Sequence, residues 1–175
     1  KAVRDVFGTR AVIQRCQVHK ARNVLDQLPE DLRPSVREAL RQAYRCANAD
    51  RAKKLLLNLA RRLRDEHPGA TASLEEGLDE TLTVMRLEIP PGLARTLSTT
   101  NAIENLIGSV RGLGKRVKRW RDGRMILRWT VTAVTDAATR FRRVNGAQQA
   151  MAKLVLALRA RDVTNNAVEP KKKVA

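Results

Sequence analysis

The chain is poor in aromatic residues and cysteines, and it has no long apolar segment. Of its 175 residues 3% are aromatic and 43% apolar, so its core has to be aliphatic, which favours helices over a β-sandwich. Two cysteines, Cys16 and Cys46, are too few for a disulfide framework and favour the reducing cytoplasm. No apolar run approaches the roughly 18 residues of a membrane helix, so we expect no membrane partner.

Positive charge is what the chain has in excess. Its 35 Lys and Arg residues against 18 Asp and Glu residues give a formal net charge of +17, which predicts a polyanionic partner, nucleic acid first. The densest stretch carries one acid, Asp122, and we predict that it binds DNA through Arg111, Lys115, Arg116, Lys118, Arg119, Trp120, Arg121 and Arg124. Trp120 either stacks on an unpaired base or packs against the following helix. The alternative for the charge is solubility or assembly.

The first half of the chain predicts helices and one strand. Residues 2–7 have a helical pattern that Gly8 ends, and residues 11–16 give the one convincing strand signal. A helix over residues 20–28 precedes three more, which we expect to begin at Asp31, at Asp50, and at Thr71 or Ser73. Their predicted inner faces are Val36, Leu40 and Ala43; Ala52, Leu56, Leu59 and Leu63; and Leu74, Leu78, Leu82 and Met85.

The second half begins at a Pro-Pro-Gly sequence, residues 90–92, which is the best candidate boundary. A helix opened by Asn101 follows, interrupted near Gly112 and Gly114. A long helix is predicted over residues 124–144 and a last one over residues 147–161. The long helix should bury one stripe, made of Leu127, Val131, Val134, Ala138 and Phe141.

Glu104 has two interpretations. A carboxylate beside so much positive charge can hold a metal ion against a phosphate backbone, because Mg²⁺ prefers oxygen ligands. The spacing of Asn101 and Glu104 is also that of a capping box, in which the glutamate bonds back to the backbone of the cap residue.

Cys16 and His19 follow the predicted strand at a spacing that suits half of a zinc site. The remaining partners would be Cys46 and His67, at irregular spacings. We favour instead a buried cysteine and a hydrogen-bonded histidine at the end of the strand. A nucleophilic Cys–His pair is weaker still, because no third group orients it.

Together these blocks resemble the catalytic end of a Mutator-type bacterial insertion-sequence transposase. Residues 14–24 are similar to the Cys-x-x-His block of that family, and residues 99–105 to the block that carries the third acid of its Asp-Asp-Glu triad. Residues 119–123 and 128–129 continue as the family does. The similarity extends over about residues 1–160, and the first two blocks together are specific.

The resemblance implies a ribonuclease-H-like α/β core with an all-helical insertion, of which this chain is the C-terminal, mainly α part. Residues 1–29 map to the end of that core and residues 30–89 to the insertion. Residues 90–161 map to the Glu-bearing helix and the C-terminal helices, and residues 162–175 to a flexible basic tail.

The implied activity is cleavage of DNA ends and strand transfer during transposition, dependent on Mg²⁺ or Mn²⁺. Glu104 would be the catalytic metal ligand, and Cys16, His19 and Asn101 would support the active centre. The family carries two upstream aspartates that have no match here, since Asp5 lies in a helical pattern and fits neither position.

We therefore expect a fragment that is inactive alone. The metal would bind only in the full-length protein, which we expect to be a homo-oligomer with DNA as its partner. The alternative function is that of a non-catalytic, basic, helical nucleic-acid-binding protein.

Overall fold

The computed structural model describes residues 2–8, 11–141 and 147–168, with side chains for 3–8, 11–141 and 147–161. In these ranges every regular element is a helix: α1 Ala2–Phe7, α2 Gln17–Asp26, α3 Arg33–Tyr44, α4 Ala49–Leu63, α5 Pro68–Glu75, α6 Leu78–Thr81, α7 Thr83–Arg86, α8 Pro91–Leu97, α9 Asn101–Gly114, α10 Gly123–Ala138 and α11 Ala147–Val168. The mainly α class is confirmed, and the ribonuclease-H-like core stays a prediction. No helix in these ranges is both long and apolar enough to span a bilayer.

The predicted strand over residues 11–16 is wrong, because this segment forms neither a helix nor a strand. Its backbone bonds to residues of α6 and of the start of α7 instead of to a neighbouring strand. The Arg15 N–H donates to the Glu80 carbonyl over 2.9 Å, and the Thr83 hydroxyl donates to the Ile13 carbonyl over 2.7 Å. A strand needs a second strand to satisfy its polar groups, and here helix termini satisfy them.

The main core lies among α2 to α6 and is aliphatic, as the composition predicts. The predicted inner faces of α3 and α4 are buried, which confirms their helical periodicity. The core consists of Val24, Leu25, Leu28, Val36, Leu40, Ala43, Ala52, Leu56, Leu59, Ala60, Leu63, Ala70, Leu74, Leu78 and Leu82.

All three predicted helix starts are wrong, and the third helix begins at Pro68, as α5, rather than at Thr71 or Ser73. Helix α4 begins after Asn48, whose side chain accepts from the Arg51 N–H over 2.9 Å, and Asp50 lies in the first turn. There its charge is still favourable beside the helix dipole. Helix α3 begins after Leu32 rather than Asp31, and its start has no side-chain cap.

The third predicted helix is divided into α5, α6 and α7. The break lies at Gly77, whose φ of +62° is the left-handed conformation that favours glycine. A Cβ atom at this position would lie 2.5 Å from the Nε atom of Arg15, so any other residue would also displace the Arg15 side chain. The predicted apolar positions of this segment still face the core, since three of them are buried and Met85 packs against it.

A buried lysine closes the C-terminus of α5. The Lys20 ammonium group donates to the Ser73 and Glu76 carbonyls, both over 2.6 Å, and lies 3.4 Å from the Glu76 carboxylate. Lys20 belongs to α2 and is 4% exposed, so these bonds hold α2 against the break after α5. The carbonyls at a helix C-terminus lack partners within the helix, and a cation beside them is favourable.

A second, smaller cluster joins α7, α8 and α11. It consists of Val84, Ile89, Leu93 and Ala150, with Leu154 packed against it. The predicted boundary at residues 90–92 is where α8 begins, since proline is tolerated in the first turn. Helix α11 runs to Val168, beyond its predicted end. The remainder of the predicted basic tail lies outside the described residues.

Helices α9 and α10 pack against each other. Helix α10 ends at Ala138 rather than at Val144, and its predicted buried stripe is wrong: Leu127 is 63% exposed and Val131 55% exposed. The buried residues of α10 are the small Ala133 and Ala137. A helical period identifies an apolar face, but it does not show that another element covers that face.

We predict that Lys20→Met destabilises the protein by roughly 2–3 kcal/mol, because it leaves two carbonyls of the α5 C-terminus without a partner. Urea unfolding followed by far-UV circular dichroism measures the change. The matched control is Lys54→Met, on the exposed side of α4, which should leave the unfolding midpoint almost unchanged. Equal midpoints for the two variants would show that the Lys20 bonds do not stabilise the fold.

Candidate functional site

The N-termini of α2 and α9 meet at Cys16. Cys16 is the N-cap residue of α2, and the N–H of the next residue, Gln17, donates to the Ser98 carbonyl over 3.0 Å. Thr100 is the N-cap residue of α9, and its hydroxyl lies 3.4 Å from the Cys16 sulfur. Two helix N-termini at one place favour negative charge, because each presents unpaired N–H groups and the positive end of a dipole.

The Thr100 hydroxyl is the centre of this cluster. Its oxygen lies 3.4 Å from Nδ1 of His19 and also hydrogen-bonds to the Glu104 carboxylate. A hydroxyl carries one proton and two lone pairs, so it donates to one of these neighbours at a time and accepts from another. Sequence reasoning did not single out Thr100. It could have been found from its position directly before a predicted helix, because threonine is a preferred N-cap residue.

His19 and Glu104 complete the cluster. The His19 Nε2 atom lies 3.5 Å from a Glu104 carboxylate oxygen, and both side chains are about half exposed. The structure thus brings together Cys16, His19 and Glu104, three of the residues selected from the sequence. Asn101 is exposed and makes no hydrogen bond to them, and its supporting role stays a prediction.

The capping-box interpretation of Glu104 is not what the geometry shows. The N-cap residue is Thr100, and the carboxylate of Glu104 bonds to the Thr100 side chain rather than to a backbone N–H. The carboxylate therefore stays at the surface beside His19.

The Cys16 thiol has a pKa lowered to about 7. Burial raises this pKa, but hydrogen bonds from the Thr100 hydroxyl and from the backbone N–H groups of His19, Thr100 and Val18 outweigh burial and stabilise the thiolate.

The described side chains alone do not form a metal centre. They contain no group of three or more His, Cys, Asp or Glu residues that could hold an ion, which removes the predicted alternative of a zinc site with Cys46 and His67. At the cluster itself Glu104 is the one carboxylate among the hydrogen-bonded groups. The Glu104 carboxylate fits as one of the several oxygen ligands that Mg²⁺ prefers, and the cluster supplies no second carboxylate.

The predicted DNA-binding residues form one basic surface at the turn between α9 and α10, which we call the basic surface. All are exposed, and among the described residues none of its cations is paired with a carboxylate: Arg111, Lys115, Arg116, Lys118, Arg119, Arg121 and Arg124. The single acid of this stretch, Asp122, caps α10 by accepting from the Met125 N–H over 2.7 Å. Trp120 remains 41% exposed.

The known proteins that this chain resembles are transposases of insertion sequences. A family model described as "Transposase, Mutator family" matches residues 1–144. The chain is 31% identical over 145 residues to the transposase of insertion sequence element IS6120 from Mycolicibacterium smegmatis, which covers 83% of this chain and 44% of that protein. It is 35% identical over 105 residues to the transposase of IST2 from Acidithiobacillus ferrooxidans, covering 60% of this chain and 35% of that protein.

The chain thus spans less than half of the length of these curated relatives. No solved structure matches it.

We predict that Thr100→Val raises the pKa of Cys16 above about 7, because it removes the hydroxyl that stabilises the thiolate. The rate of Cys16 alkylation by iodoacetamide is measured against pH in a Cys46→Ser background. In Thr100→Val this rate should begin to rise at a higher pH than in the parent chain, and at pH 7 it should be several-fold slower. The matched control is Thr99→Val, whose hydroxyl makes no hydrogen bond to this cluster. An unchanged midpoint of the alkylation rate against pH in Thr100→Val would contradict the assigned role of the hydroxyl.

Proposed function

The chain belongs to the Mutator family of transposases, and on this premise we propose that it is part of the catalytic region of a DNA transposase. The reaction is cleavage at the ends of an insertion sequence followed by strand transfer, with water or a DNA 3′ hydroxyl attacking a phosphodiester. The observation that supports this most directly is the position of Glu104. Its carboxylate lies where two helix N-termini meet, on the helix that leads into the basic surface.

Glu104 is proposed to supply one oxygen ligand to a Mg²⁺ or Mn²⁺ centre whose other carboxylates lie outside this chain. The metal would activate the attacking oxygen and stabilise the leaving oxygen, as in other phosphoryl-transfer sites. Within this chain, the Thr100 hydroxyl and His19 hold the carboxylate in place. On this proposal the isolated chain lacks the other metal ligands, and it should neither nick DNA nor transfer strands.

The basic surface is proposed to bind DNA along its phosphate backbone. Its arginines suit this role, because a guanidinium group can form two parallel hydrogen bonds to a phosphate. We further propose that the complete protein acts as a homo-oligomer on transposon ends and target DNA. The unpaired state of Cys16 and Cys46 is compatible with a cytoplasmic location.

A second candidate is a non-catalytic nucleic-acid-binding protein. The unpaired cations of the basic surface favour it, since they suffice for binding without any role for Glu104. The two functions differ in what a change at Glu104 does.

We predict that the isolated chain binds duplex DNA with a strong dependence on salt. Each phosphate contact contributes about 0.9 to the slope of log affinity against log salt, so six contacts would weaken binding about a thousandfold between 50 and 200 mM salt. Arg121→Ala should lower the magnitude of this slope by about 0.9, the contribution of one phosphate contact. Arg62→Ala, an exposed arginine of α4, is the control of equal charge change, and equal slopes for the two variants would argue against the basic surface.

We predict that Glu104→Gln abolishes transposition by a complete transposase that carries this segment, while DNA binding is retained. The amide keeps the shape of the side chain and removes the charge that a metal ligand needs. Excision and insertion of a marked element, together with gel-shift binding, measure the two properties, and Glu88→Gln, an exposed acid between α7 and α8, is the control. Full activity of Glu104→Gln would overturn the catalytic role of Glu104 and favour a segment that only binds nucleic acid. Mg²⁺-dependent cleavage by the isolated chain would overturn the proposal that it is incomplete.

A further inference from the structure

Both tryptophans of the chain line one open groove at the turn between α9 and α10. The groove runs from the loop before α10 to the first turns of that helix, and Arg119, Arg121 and Arg128 line it together with Trp120 and Trp129. The chain has no other tryptophan. The largest side chains available are thus outside both hydrophobic clusters of the described residues.

The two indole rings are accessible. Trp120 is 41% exposed and Trp129 37% exposed, although large aromatic side chains are mostly buried in proteins. Trp120 is nevertheless held in place on one side. Its ring lies over the end of α9, where a Cβ atom at Gly114 would be 3.6 Å from the ring. A ring that is supported on one side and open on the other can accept a flat ligand with little loss of side-chain entropy.

The charges around the groove favour a ligand with a phosphate. Its three arginines are exposed and have no carboxylate partner among the described residues. The one acid of the groove, Asp122, is engaged with the N-terminus of α10. A flat apolar body beside a phosphate is the chemistry of a nucleotide.

We propose that this groove binds an unpaired nucleotide of a DNA strand, with the base stacked on an indole ring and the adjacent phosphates on the arginines. This inference rests on the proposed DNA-binding function and specifies that the DNA bound at this groove contains an unpaired base. A base within a duplex has both faces covered by its neighbours, so stacking on a side chain requires a base that is single-stranded or displaced from the helix.

The first test uses the unmodified chain. Its tryptophan fluorescence is titrated with a short single-stranded oligothymidylate and with an abasic oligonucleotide of the same length and charge. Both tryptophans lie in the groove, so the signal reports on this site alone. We expect quenching by the base-containing strand and an affinity roughly 5- to 100-fold higher than that of the abasic strand, the range that stacking of one base gives.

Variants then locate the effect. Trp120→Ala together with Trp129→Ala should remove the preference for the base-containing strand, and Trp120→Phe with Trp129→Phe should restore part of it. Because these variants contain no tryptophan, their affinities are measured by the fluorescence anisotropy of labelled oligonucleotides. The matched control is Phe141→Ala, an exposed aromatic residue after the end of α10 and outside the groove, which should keep the full preference.

The outcomes separate this inference from the proposed function. Equal binding of the two strands without quenching would overturn the inference and leave DNA binding intact. Tighter binding to duplex DNA than to the single strands, with unchanged fluorescence, would also overturn the inference and leave DNA binding intact. Failure to bind any of these DNAs at low salt would overturn the proposed function, and the inference with it.

Discussion

The arrangement of the molecule depends on the buried ammonium group of Lys20. It joins α2 to the C-terminus of α5 through two carbonyl groups, and no other buried residue of the described chain carries a charge. In the segment before α2, Arg15 binds the carboxylates of Glu76 and Glu80 and packs against Gly77. The Arg15 hydrogen bond, with a further contribution from Lys20, lowers the pKa of Glu76. These contacts fix both the direction of α2 and the break after α5.

The direction of α2 in turn sets the candidate site. Cys16 and His19 lie at the start of this helix, one turn apart, so they face the same neighbour. That neighbour is the start of α9, which the Gln17 to Ser98 hydrogen bond holds in place. Glu104 reaches His19 because α9 begins there, and the same position gives the Cys16 thiol its lowered pKa. A change that tilts α2 would therefore disturb both effects together.

Charge is distributed unevenly over the fold. In the part built from α1 to α7 several acids are engaged with nearby cations, as in the pairs of Arg4 with Glu80 and Lys53 with Asp79. The basic surface has no such partners among the described residues, because its single acid caps a helix. Its positive potential is therefore left for a ligand, and it begins on the same helix that carries Glu104.

The sequence by itself determined the helical class, the inner faces of α3 and α4, and the choice of Cys16, His19 and Glu104. Those features depend on local periodicity and on motifs that a linear pattern contains. Only the tertiary structure decided that residues 11–16 form no strand, that α5, α6 and α7 are separate, and that Leu127 and Val131 are exposed. It also selected Thr100 as the hydroxyl between the site residues. Each of these depends on which distant backbone groups and side chains become neighbours, and a local pattern does not specify such neighbours.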